Sequence, residues 1–273
     1  MITHEEISKH ANTCRVRPQQ IEKDYIISWI LSCISNNPLL SKNLIFKGGT
    51  CLKKIHIEDY RYSEDMDFTL RNDAIADADI YDAFNQVFGL IAAEANIKLS
   101  IPEASWDVHQ ATGSIKFYID YVGPLGGKGD HIKVGITRGE AIEFDCVAGK
   151  VFNAYSDLKE KDEYTIQSYD LKEVLIEKMV ALMGRTVPRD LYDFIYLTST
   201  RGMNIHDVFI KFQNKAKHKG HNPDKFVEKV LSKEATLKHS WEGNLRHQIK
   251  DLQEFKDAWR EFNKQIRIIQ DIK

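Results

Sequence analysis

The chain has 273 residues, with 38 Lys+Arg against 40 Asp+Glu for a formal charge of -2, and 42% of its residues are hydrophobic. That length allows one large domain or two small ones with a sizeable core, and the balanced charge excludes a binder that coats nucleic acid by bulk attraction. With 29% charged residues, 6 prolines and 15 glycines, the composition is that of a folded chain rather than a disordered or collagen-like one.

The first clear element is a helix starting at Arg17-Pro18, where proline suits a first turn, and ending at Asn36-Asn37-Pro38. Ile21, Tyr25 and Trp29, with Ile26, Ile30 and Cys33 beside them, form one wide apolar stripe on it. Leu44-Ile45-Phe46-Lys47 is a short apolar run stopped by Gly48-Gly49, which reads as a strand, a glycine turn and a helix from Thr50 to about Ile57. Asp65 to Leu70 alternates polar and apolar residues, as a half-buried strand does. A helix from about Asp77 to Ala95 follows, with Ile80, Phe84, Val87, Phe88 and Ile91 on its inner side. Three strand-like runs come next: Ser114 to Val122, His131 to Thr137 and Ala141 to Val147, the first two separated by the turn-rich Gly123 to Gly127.

From about Ser168 the pattern becomes helix after helix: Leu171 to Leu182, Pro188 to Thr198, Ile205 to Lys217, Pro223 to Leu231 and Leu245 to Ile269. The expected fold is α+β, a mixed sheet with flanking helices over residues 1–160 followed by an all-helical domain over 161–273. Charge follows the same division. Residues 1–200 hold 22 Lys+Arg and 30 Asp+Glu, a formal -8, whereas 201–273 hold 16 and 10, a formal +6. A basic tail of this kind suits an anionic partner; the bland alternative is a solvated basic helix face.

No run approaches the roughly 20 apolar residues of a membrane helix, and the polar start from Met1 to Asn12 reads as neither signal nor transit peptide. Cys14, Cys33, Cys51 and Cys146 are far apart and form no CxxC pair, which argues against thiolate metal sites and a disulfide scaffold. The expected compartment is the cytoplasm.

The residues with chemical content are Lys47-Gly48-Gly49-Thr50 and Arg61-Tyr62-Ser63-Glu64-Asp65-Met66-Asp67-Phe68. Residues two apart on a strand share a face, so Asp65 and Asp67 stand together while Met66 and Phe68 face the core. Two adjacent carboxylates repel unless a cation lies between them, and an oxygen-only site of this type favours Mg²⁺, which completes its octahedron with phosphate and water. The Gly48-Gly49 turn lets backbone approach a ligand and the helix start beyond it offers N–H groups to phosphate, with the Thr50 hydroxyl beside them. The combination describes a nucleoside triphosphate site with metal. A P-loop is excluded, since no GxxxxGK[ST] is present, and the segment Asp59 to Leu70 lacks the central glycine of an EF-hand.

These motifs resemble those of the AbiEii-type nucleotidyltransferases, the toxins of type IV abortive-infection systems, within the DNA-polymerase-β-like nucleotidyltransferase superfamily. Glu22-Lys23-Asp24-Tyr25 is similar to the family's early helix, and Glu177 to Leu182 and Arg189-Asp190-Leu191-Tyr192-Asp193 resemble its two late signatures. The resemblance implies that Asp65 and Asp67 hold catalytic Mg²⁺ (or Mn²⁺). It further implies that Gly48, Gly49, Thr50 and Ser63 line the triphosphate, and that Lys178, Lys47 and Arg189 face phosphate charge. Asp193 would position the lysine or accept a proton. Implied partners are an NTP, an RNA acceptor such as tRNA and a cognate antitoxin. On the residues alone, Lys178 and Arg189 also fit helix-surface cations paired with Glu177 and Asp193, and Lys47 fits a snorkelling lysine at a strand end.

One position departs from the superfamily pattern: Gly135 stands in Ile132 to Thr137 where a third carboxylate is usual. Asp145 and Asp120 are the candidate substitutes. A catalytically weakened nucleotide-binding or protein-interaction module, or an enzyme that nucleotidylates protein, are the alternatives to RNA modification.

Overall fold

In the computed structural model, which describes residues 1–159 and 163–271, the chain opens with a short helix that buries Ile7 and Ala11, α1 (His4–Cys14). The Thr3 hydroxyl caps it by accepting from the Glu6 N–H, and left-handed Arg15 closes it. Helix α2 (Pro18–Asn36) starts and stops where the prolines direct. Its burial is not a stripe: Glu22, Asp24, Ser28 and Ser32 are buried with the apolar residues. The reason is that α1, the sheet and two further helices surround it, so its polar positions need internal partners. Helix α3 (Pro38–Asn43) follows, its first turn capped by the Asn37 side chain.

Strand β1 (Leu44–Lys47) runs into α4 (Gly48–Cys51), which continues as a π-helical turn, Leu52–His56. Then come β2 (Met66–Leu70), α5 (Asp77–Ala95), β3 (Lys98–Ser100), β4 (Asp107–Val108), β5 (Ile115–Val122), β6 (Asp130–Thr137), β7 (Val147–Lys150), α6 (Ser156–Lys159) and β8 (Thr165–Ser168). The strands form one mixed sheet in the order β3-β5-β6-β2-β1-β8-β7, with β4 beside β5. β2 is antiparallel to β1 and parallel to β6, and so sits near the middle of the sheet. On β5, Ile115, Phe117, Ile119 and Tyr121 alternate inward, and Phe117 meets Phe84 of α5 edge-on at 5.1 Å. Each such buried apolar side chain contributes about 1.5–3 kcal/mol.

The described chain forms two units, Met1–Glu140 with Cys146–Tyr169, and Ala141–Asp145 with Asp170–Lys273. The strand expected over Ala141 to Val147 is therefore displaced to Val147–Lys150. Segment 141–145 finds its hydrogen bonds elsewhere: the Glu143 and Phe144 N–H groups both donate to Glu173 Oε2 at 2.9 Å, and Lys215 Nζ donates to the Ala141 carbonyl at 2.7 Å. Side chains thus satisfy backbone groups that a ladder would otherwise pair.

The second unit is helical: α7 (Leu171–Gly184), α8 (Pro188–Ile195) continuing as a π turn to Thr200, α9 (Phe209–His218), α10 (Phe226–Leu231), α11 (Glu234–Leu245) and α12 (Phe255–Asp271). The helix expected from Leu245 to Ile269 starts only at Phe255, as α12, and the helix before it, α11, ends at Leu245 and was not expected from the sequence. Trp241 accounts for the late start. It is buried, its indole N–H donates to the Gln253 carbonyl at 3.0 Å, and its ring packs on Phe255 at 5.5 Å, folding the connector back onto α11. Trp241 and Trp259 are both core residues, as their spacing suggests. Among the described residues no helix is long and apolar enough to cross a membrane.

Candidate functional site

The centre of the first unit's polar face is Asp67. Strand pairing sets it opposite Lys47 on β1 and opposite Gly135 on β6. A Cβ built on Gly48 would lie 3.0 Å from Asp67 Oδ2, and one built on Gly135 would lie 3.0 Å from Oδ1. Both neighbours lack side chains where the carboxylate stands. Gly135 is therefore the space that β6 leaves for the Asp67 oxygens. Gly48 also has φ +81°, a left-handed conformation that turns strand into helix and that other residues adopt only with strain.

The two motifs are physically joined. The Thr50 hydroxyl, on a side chain only 2% exposed, donates to the Asp65 backbone carbonyl, tying the glycine turn to the residue just before β2. Asp65 itself precedes the strand, which begins at Met66, and its side chain is half-buried like that of Asp67. Ser63 is buried with its Oγ 3.1 Å from a Cβ built on Gly49, and the Arg61 guanidinium lies closer still, with Nη2 at 2.6 Å. Arg61 was quoted in the motif but given no role from sequence; its cation lies directly against the glycine turn.

Lys47 does not snorkel. It is buried, its Nζ is 3.4 Å from Glu140 Oε2, and it lies 5.6 Å from the Tyr169 ring centre. Glu140, with a side chain only 2% exposed, is thus the further acid drawn to this face. Sequence reasoning missed it because it lies past the end of β6, where no alternation marks its direction. Asp120 is exposed on β5, four residues beyond Lys116, the partner of Gly135, which is about 13 Å along the strand. Asp145 belongs to the segment carried by the second unit. Among the described residues no group of three or more His, Cys, Asp or Glu is arranged to hold a metal ion.

The second unit carries its own charged cluster. Lys178, on α7, is buried, with Nζ 2.8 Å from Asp193 Oδ2 and 3.1 Å from Asp190 Oδ1, both carboxylates on α8. Asp190 also receives two bonds from Arg185, at 2.7 and 3.0 Å. Burial pushes the Asp190 carboxyl up, but the Lys178 ammonium and Arg185 guanidinium outweigh it and hold the group below the ordinary carboxylate range. Lys178 is therefore no surface cation, and Glu177 instead faces Lys215 at 3.8 Å. Arg189 is half-buried on α8. Asp190 stands in the late signature without a role of its own and Arg185 lies outside it; the i, i+3 spacing of Asp190 and Asp193, which puts both on one helix face, is the available signal.

A family model described as the nucleotidyl transferase AbiEii toxin of a type IV toxin–antitoxin system matches residues 29–267. The chain belongs to the AbiEii nucleotidyltransferase toxin family. Its fold is similar to that of the MenT4 nucleotidyltransferase toxin of Mycobacterium tuberculosis H37Rv, with a TM-score of 0.57 and 19% identity over 73% of this chain. The match spans 65% of the length of MenT4. JHP933 of Helicobacter pylori is similar over 94% of both chains, with a TM-score of 0.55 and 15% identity. No curated protein matches at the level of sequence. The AbiEii motifs thus fall into two sets: the early glycine turn lies against Asp67 and is bonded to the Asp65 backbone, and the late lysine and aspartate share one buried ion-pair cluster.

Proposed function

We propose that this AbiEii chain moves an NMP from an NTP to an RNA acceptor such as tRNA, using Mg²⁺ (or Mn²⁺) and releasing pyrophosphate. Its growth-blocking output would be restrained by a cognate antitoxin in the cytoplasm. The observation that carries the reading is the setting of Asp67, whose two oxygens face glycine on either side while the Thr50–Asp65 bond joins the glycine turn to the aspartate strand. Hard carboxylate oxygens in a space that any side chain at Gly48 or Gly135 would fill suit a Mg²⁺ held by Asp65 and Asp67. When bound, the metal would supply positive charge against the phosphates.

The protein's own part in such a transfer is positioning and electrostatic stabilisation. Gly48, Gly49, Thr50 and Ser63 would line the triphosphate. Lys47, Arg61, Lys178 and Arg189 would supply positive charge, and Asp193, ion-paired to Lys178, would orient that lysine. The +6 balance of residues 201–273 supports an RNA acceptor. A second reading, a weakened nucleotide-binding module, is favoured by one observation, the glycine at position 135 in place of an acid.

Incubation with each labelled NTP, Mg²⁺ and either total tRNA or a protein lysate separates the readings. Label in tRNA is the expected result. Label in protein would identify a protein-modifying enzyme, and none in either would favour the binding module.

A further inference from the structure

The early Glu22-Lys23-Asp24-Tyr25 stretch of α2 lies outside the roles assigned so far, yet every charged group in it is buried or half-buried and engaged. Lys23 Nζ is 3.2 Å from Glu64 Oε2 and 3.1 Å from Asp130 Oδ2. Gln20, one turn earlier, donates to the other Glu64 oxygen at 3.2 Å. Glu64 stands between Ser63 and Asp65, so a neighbour of both proposed ligand residues has its two oxygens fastened to α2. Asp24 reaches the other motif: it forms a buried ion pair with Lys54, in the π-helical turn that continues the Gly48–Cys51 helix, and Lys54 also donates to Ser28 Oγ at 2.8 Å. Tyr155 adds a second bond to the same Asp24 oxygen at 2.7 Å. Glu22 meanwhile accepts from the Leu125 N–H at 2.7 Å, holding the β5–β6 connection.

One helical segment therefore holds both chemical motifs, through Glu64 between Ser63 and Asp65 and through Lys54 in the turn that continues the glycine helix. Plain stability is a poor explanation for this arrangement, since a buried ion pair is seldom better than well-packed apolar side chains of the same size. Orienting groups that hold a ligand residue in place do need such fixed, directional bonds. We propose that Gln20, Lys23 and Asp24 are positioning residues, which set the Asp65–Asp67 carboxylates through Glu64 and the glycine turn through Lys54. The purpose assigned to them rests on the metal–nucleotide reading above.

Lys23→Met is the discriminating variant, because Glu64 and Asp130, which lose the ammonium, are 31% and 36% exposed and within reach of water, whereas cutting the buried Asp24–Lys54 pair risks unfolding. Three readouts apply to wild type, Lys23→Met and the conservative Lys23→Arg: thermal unfolding, amide hydrogen exchange over residues 60–66, and Mn²⁺ affinity by electron paramagnetic resonance with a non-hydrolysable NTP analogue. Lys23→Met should unfold within a few degrees of wild type, exchange faster over 60–66, and bind Mn²⁺ about tenfold more weakly, with Lys23→Arg restoring both. Unchanged exchange or unchanged Mn²⁺ affinity in Lys23→Met, beside a wild type that binds, overturns the positioning role alone. A wild type that binds no Mn²⁺ overturns the metal–nucleotide reading, and the purpose of the positioning residues with it.

Discussion

Replacing Lys178 with methionine tests the ion-pair cluster of α7 and α8. The substitution keeps the length and apolar stem of the side chain and removes only the ammonium that bridges Asp190 and Asp193. Those carboxylates are 1% and 0% exposed, so neither has water to replace the lost partner. Asp190 keeps Arg185, whose own side chain is 60% exposed, while Asp193 loses its 2.8 Å contact. Removing one member of a buried pair costs about 3–5 kcal/mol. At roughly 2–4 °C per kcal/mol for a chain of this size, Tm should fall by about 10 °C. The pH dependence gives the sharper signature. In wild type the Asp190 carboxyl is held below its ordinary value of 3.8, so its contribution is present above about pH 4 and is lost only as pH falls through the lowered folded value. In the variant Arg185 alone opposes the burial and the neighbouring Asp193 that push the Asp190 carboxyl up, so the carboxyl rises from its wild-type position and its protonation relieves part of the damage as pH falls from 7 toward 4. Calorimetry of both proteins across that range should show the gap in Tm narrowing toward acid. A gap below about 2 °C at pH 7, or one that does not change with pH, would refute the assignment of Lys178 as the charge that balances this cluster. The same measurement is needed before any loss of transfer in a Lys178 variant is read as chemistry.

Asp67→Asn should keep the fold, because the amide has the same shape, yet lower nucleotide transfer by several orders of magnitude; full activity in a well-folded variant would mean the chemistry is assigned to the wrong residue. Gly135→Ala adds a methyl 3.0 Å from Asp67 Oδ1. It should raise the Mg²⁺ concentration needed for half-maximal transfer with little change in Tm, and an unchanged metal dependence would show that the carboxylate does not need that space. Binding of tRNA should weaken steeply between 50 and 200 mM salt, by about tenfold for every two phosphates neutralised. Equal affinity at both concentrations, measured by filter binding, would remove the RNA backbone as the partner of the basic tail.

Much of the fold is written in local pattern. The prolines at 18 and 38 bound α2, the period of Ile80, Phe84, Val87 and Ile91 marks α5, and alternation marks β2, β5 and β6, because each pattern depends only on which residues share a face. The AbiEii motifs were legible for the same reason: Gly48-Gly49-Thr50 and Asp65-x-Asp67 are short and lie on one stretch of chain. Where long-range partners decide, pattern was silent or misleading. Apolar spacing continues through residues 246–254, but the Gln253 carbonyl is bonded to Trp241 instead and the helix starts only at Phe255. Ala141 to Asp145 had the composition of a strand, but Glu173 and Lys215 captured its backbone for the helical unit. The ends of the charged contacts were equally hidden. Lys47 meets Glu140 across 93 residues and Lys23 meets Glu64 across 41. A charged side chain's sequence neighbours do not say which distant group it will neutralise; only the folded chain brings the two within reach and strips away the water that would otherwise solvate each alone.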